Sequence, residues 1–184
     1  MGKNQPKKAG LREGRQTVVT PEIQRIASQF KGGSPLEIAK EVVGFFRENF
    51  VEKKLKLSEF GEVYLKRSAS DIIRSGKIAR LKTSQGEIES SGCIDYSVAA
   101  CALLRAKGIP AFFTRTGTHS TVLFRVEKQF YEMDLTKGNA ISPLGKTSKR
   151  LFSMLRRKGE FAMAEDAWSL GMHSIEDFGK TFEK

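Results

Sequence analysis

Two strand-like runs, Ser120–Val126 and Gln129–Leu135, are parted only by Glu127-Lys128. A break that short leaves an antiparallel hairpin as the way for both runs to fold. With Val126 opposite Gln129, counting outward sets Thr121 level with Asp134 and His119 level with Thr136. Side chains alternate along a strand, so His119 and Asp134 fall on one face as diagonal neighbours within hydrogen-bonding reach. A connection of four residues would keep that parity, and one of three would reverse it.

Upstream, the stretch from Cys93 to Lys107 is apolar and rich in alanine, and reads as a helix. Ser90, Ser91 or Gly92 can cap its start, and Asp95 in the first turn suits the positive end of the dipole. Gly108 suits the left-handed C-terminal cap, and Ile109-Pro110 leaves the helix for a strand over Pro110–Arg115. Cys93 therefore opens a helix, where backbone N–H groups favour a thiolate. A histidine can act as its base, and a carboxylate can hold that base in the right tautomer. Cys93, His119 and Asp134 are accordingly the candidate nucleophile, base and orienting group. Each has a plainer reading beside it: a small buried hydrophobe for Cys93, a strand-end residue for His119, a turn cap before Lys137-Gly138 for Asp134.

The other chemistry-bearing residues read as structural. Cys101 lies mid-helix among alanines and belongs to the core. Asp95 stabilises the helix start, and Tyr96 packs or lines a cleft. His173, in the run GMHS, marks a helix boundary. The two cysteines are eight residues apart on one helix, about 12 Å of rise, and cannot bridge. Two cysteines and two histidines without zinc-ligand spacing, and no calcium loop, argue against a metal; no cofactor is expected.

Elsewhere, Thr20-Pro21 opens a helix that Gly32-Gly33 ends, and Ser34-Pro35 opens a second with a wide apolar face. Ser68–Ser75 is a short helix closed by Gly76. Residues 77–91 are polar and punctuated by Gly and Ser, and read as a loop leading to Cys93. Thr147–Arg157, Phe161–Leu170 and Ile175–Phe182 read as flanking helices, with Trp168 as an anchor. Residues 1–16 are basic and polar and read as a flexible tail, leaving 17–184 as a single domain. A length of 184 residues suffices for a hydrophobic core without staples. No apolar run approaches the roughly 20 residues of a membrane span, and the N-terminus has no apolar leader. With free thiols, this points to a reducing cytoplasm and no membrane insertion. The formal charge of +11 offers a surface for nucleic acid or an acidic partner, but no nucleic-acid module accompanies it.

SASDIIRSG, then G-C-x-D-Y-S, LLRAKGIPA, a histidine opening one strand and Tyr131-x-x-Asp134-x-Thr136 in the next resemble the transglutaminase-like superfamily, an offshoot of the papain-like cysteine fold. The resemblance covers about Ser68 to Gly138. It implies an α+β fold, with the Cys-bearing helix packed on an antiparallel sheet and further flanking helices. It also implies Cys93 as nucleophile, His119 as base and Asp134 as orienting group. The implied activity is cysteine-dependent acyl transfer on a protein or peptide amide, by an amidohydrolase, a peptidase or a transglutaminase. Many relatives carry a Trp after the histidine, where this chain has Ser120-Thr121. The Cys93 backbone N–H is one expected oxyanion donor, and the side-chain donor is unassigned, with Gln85 in the preceding loop as a guess. The alternative is a non-catalytic module of the same fold, its basic surface holding nucleic acid or an acidic partner.

Overall fold

The protein's structure, a computed structural model, describes Gly10 and residues 12–82, 92–117, 119–138, 140–145 and 160–174, with positions 150, 153, 154, 156, 157 and 177. Helix α1 (Pro21–Ala27) starts where Thr20 accepts a hydrogen bond from the Ile23 N–H. It stops before Gly32-Gly33, because the Ser28 hydroxyl donates to the Arg25 carbonyl and the chain tightens into a turn. Helix α2 (Pro35–Asn49) opens with a reciprocal cap between Ser34 and Glu37 and buries Ile38, Ala39, Val42, Val43 and Phe46 on one face.

Two strands went unforeseen. β1 (Val51–Leu55) and β2 (Lys77–Leu81) pair in parallel, with α3 (Leu57–Val63) and α4 (Ala69–Ser75) between them in sequence. Residues 77–81 are thus strand rather than loop; their charged, partly exposed composition hides the alternation that would reveal them. Residues 83–91 lie outside the described residues. Ser68 caps α4 together with Asp71, and Gly76 closes it at φ 60°.

Helix α5 (Cys93–Ala106) is buried along nearly its whole circumference. A helix apolar all round belongs inside a fold. Here α1, α2 and α4 pack around it, and the sheet packs beneath it. That sheet comprises β3 (Ala111–Thr116), β4 (His119–Val126), β5 (Gln129–Met133), β6 (Ile141–Pro143) and β7 (Phe161–Ala164), all antiparallel, in the order β6-β5-β4-β3-β7. Phe113, Val122, Phe124 and Met133 face the shared core with Val98, Cys101 and Leu103. The architecture is α+β, with the Cys-bearing helix on an antiparallel sheet.

The helix expected over Phe161–Leu170 is instead β7 followed by a 3₁₀ turn at Trp168–Leu170. Residues 161–164 pair with β3, and the Asp166 carboxylate accepts from Ser169 to start the turn. Pairing with an open strand edge outweighs the local preference of a Phe-Ala-Met-Ala run. In the expected helix Thr147–Arg157, positions 150, 153, 154, 156 and 157 are helical and the others lie outside the described residues. Of Ile175–Phe182, only Asp177 is described. At the other end, Gln16 is buried and its N–H donates to Asp166, while the Gly10 carbonyl accepts from Ala111 and from Arg105. No helix among the described residues is long and apolar enough to cross a membrane.

Candidate active site

Gly92 sets the position of Cys93. It sits at φ 71° as the cap of α5, and a Cβ there would lie 2.2 Å from Ile78 Cγ2. Both the left-handed backbone and the close approach of β2 require glycine. Two residues into the helix, buried Asp95 accepts from the Ala79 N–H at 2.8 Å and pairs with Arg67. Arg67 in turn donates to Ser75 Oγ and the Lys77 carbonyl. The start of α5 is thereby tied to β2 and α4. Burial pushes the Asp95 carboxyl up to about 6, against the pull of Arg67 and the Ala79 N–H.

The hairpin forms in the expected register: Val126 pairs with Gln129 and Val122 with Met133. Asp134 follows directly after β5, and His119 Nε2 lies 2.8 Å from Asp134 Oδ2. His119 also makes a hydrogen bond with the Cys93 side chain. Since Nε2 faces the carboxylate, Nδ1 is the ring nitrogen left for the sulfur. The Asp134 bond, then the Cys93 bond, raise His119 to about 10 in spite of burial. The three residues read from the sequence are therefore brought together.

Asp134 is itself firmly held. Its Oδ1 accepts from the Thr136 N–H at 3.1 Å and the Thr136 hydroxyl at 2.6 Å, and Lys137 Nζ lies 2.8 Å from Oδ2. Burial pushes this carboxyl up, but hydrogen bonds from His119, Lys137 and Thr136 outweigh it and keep the group well below the usual carboxylate range. It is an anion facing an imidazolium. Cys93 is 3 % exposed, whereas the His119 side chain is 35 % exposed, so the histidine marks the accessible side of the site.

Arg115 was missed by the sequence reasoning. It lies on β3 opposite Ser120, is 1 % exposed, and interacts electrostatically with Cys93 and Tyr64. Burial lowers its guanidinium from the ordinary value, while Cys93 and Tyr64 draw it back up. The available signal was its phase: Ala111, Phe113 and Arg115 alternate along β3, and the first two face the core. A cation in that series asks for a buried partner. Tyr64 is braced nearby, stacked on Phe60, and the Leu65 carbonyl after it accepts from Gln16 and from the Trp168 indole.

The remaining candidates separate cleanly. Cys101 is fully buried, and burial pushes its thiol up to about 11. Tyr96 packs edge-on against Phe46. His173 is exposed, its backbone N–H donating to Asp177. Gln85, the guessed oxyanion donor, lies outside the described residues. Among the described residues no group of acidic, His and Cys side chains could hold a metal ion.

No family model matches the chain, and no curated protein matches it. Among solved structures it is similar to a protein from Cytophaga hutchinsonii provisionally described as a cysteine protease, with a TM-score of 0.56 and 17% identity. That match covers 86% of this chain and 47% of the other, so the chain spans about half its neighbour's length. A protein from Parabacteroides distasonis ATCC 8503, provisionally described as a protease, matches with a TM-score of 0.44 and 16% identity over 67% of this chain and 23% of the other. The first likeness shows the fold alone: an α+β arrangement with a helix laid on an antiparallel sheet.

Proposed function

We propose that the chain is a cysteine-dependent acyl-transfer enzyme of the transglutaminase-like group, acting on a protein or peptide amide. The observation that carries this reading is the His119 ring, bonded to the Asp134 carboxylate on one side and to Cys93 on the other. The Cys93 thiolate attacks the amide carbonyl carbon, forming a C–S bond and a tetrahedral oxyanion. The Cys93 N–H at the start of α5 is one donor to that oxyanion. The C–N bond then breaks, and the His119 imidazolium gives its proton to the departing amine or ammonia. A thioester remains. His119, now neutral, takes a proton from water, which attacks the thioester, releases the acid and regenerates the thiolate–imidazolium pair. A primary amine in place of water gives a new amide, and hydrolysis is slightly favoured. Asp134 keeps the ring in the required orientation throughout.

Incubation with a peptide mixture, read by mass spectrometry, tests the reaction. Cleaved peptides, deamidated glutamine or amine-linked products should appear with the wild type and vanish with Cys93→Ala. If the two proteins leave identical peptide spectra, the enzymatic reading fails. The burial of Cys93 favours a competing reading, a non-catalytic module whose basic surface holds an acidic partner or nucleic acid. Steeply salt-dependent retention on nucleic acid, without any turnover, would select it.

A further inference from the structure

Between α2 and the β5–β6 side of the sheet lies a pocket of about 360 Å³ that the proposed chemistry does not use. Leu36, Val43, Tyr131 and Ile141 give it apolar walls. Lys40 and Arg47 also line it; they are exposed and sit two turns apart on one face of α2. Arg47 donates to the Gly138 carbonyl on the opposite wall at 2.6 Å, whereas Lys40 has no ion-pair partner among the described residues.

Gly44 lies between these two cations on the same helix face. Its backbone is helical, and a Cβ there would meet nothing within 4 Å. Neither conformation nor packing calls for glycine, and a glycine inside a helix is less stable than alanine. What glycine supplies here is room beside Lys40. Gly138, across the pocket, likewise has nothing within 4 Å of where its Cβ would stand.

We infer that this pocket is a binding site for a small amphiphile: an apolar body of aromatic or branched aliphatic type bearing one anionic group. The volume sits near the lower end of small-molecule pockets and is too small for a helix or an added strand. The apolar walls take the body, and Lys40, with the free edge of Arg47, takes the anion. The site stands independently of whether Cys93 turns over.

Fluorescence titration of the full chain with 8-anilino-1-naphthalenesulfonate, with N-phenyl-1-naphthylamine as its neutral counterpart, tests this. One sulfonate dye should bind per wild-type chain. Gly44→Leu should weaken it at least tenfold with Tm unchanged or raised, since leucine restores helix propensity and grows into open space. Gly138→Leu should give the same loss from the opposite wall. Gly44→Ala should raise Tm by about 2 °C, which separates pocket filling from folding damage. Lys40→Gln should weaken the sulfonate several-fold and leave the neutral dye unaffected. Undiminished affinity in a folded leucine variant, equal losses for both dyes in Lys40→Gln, or no saturable binding to the wild type would overturn the assignment.

Discussion

Replacing Asp134 with Asn probes the electrostatics of the site at one atom. Asn keeps the shape and can still accept from Thr136, but it removes the charge that lies 2.8 Å from both His119 Nε2 and Lys137 Nζ. His119 is held at about 10 against an ordinary 6.5, first by Asp134 and then by Cys93. In a sealed site that difference would convert to about 5 kcal/mol. The His119 side chain is 35 % exposed, however, and solvent screening brings the figure to about 2 kcal/mol. Because the folded state raises this group, its stabilisation is complete below about 6.5 and is lost as pH climbs through about 10. Asp134 works in the other direction: it is held below 3.8, so its contribution exists above that value and disappears as pH falls through the lower folded one. Wild type should therefore exceed Asp134→Asn by about 2 kcal/mol between about pH 4 and 6.5, with the gap closing towards pH 10. Urea unfolding across that range measures the gap. NMR titration of the His119 imidazole reads the cause. A gap that ignores pH, or a wild-type His119 that titrates near 6.5, would refute the reasoning.

Other perturbations separate the supports of the site. Gly92→Ala forces a Cβ to within 2.2 Å of Ile78 Cγ2 at φ 71° and should cost about 2–3 kcal/mol in urea unfolding. Arg115→Met preserves bulk but removes the cation beside Cys93, and should slow alkylation of Cys93 near pH 6 by about tenfold. An unchanged rate would assign Arg115 a packing role only. Asp95, raised to about 6, binds its proton more tightly folded than unfolded, so its contribution is present below about 3.8 and lost as pH rises through about 6. Asp95→Asn should accordingly flatten the stability profile between about pH 4 and 6, as read from the urea midpoint.

What could be read from the sequence was local and periodic. The hairpin register follows from a two-residue break and strict alternation, and it carries His119 and Asp134 to the same place without tertiary information. Cys93 could be placed because a cap, an apolar helix and Gly108 punctuate one element. β1 and β2 were hidden for the opposite reason. They are short and charged, and they pair in parallel across α3 and α4, so their stability lies in a long-range contact with no local signature. β7 was misread because Phe161–Ala164 is compatible with either structure until β3 offers it an open edge. Arg115 escaped because an arginine in a strand is ordinary unless its phase is counted.

The central claim is that Cys93 reacts as a thiolate sustained by His119. The direct measurement is the alkylation rate of Cys93 by iodoacetamide against pH, read peptide by peptide with Cys101 as the buried control. The account predicts a rate near pH 6 within a few-fold of that near pH 8, far above that of Cys101 and lost in His119→Gln. A Cys93 rate that falls about tenfold for each pH unit below 8, as for an ordinary thiol, would contradict it.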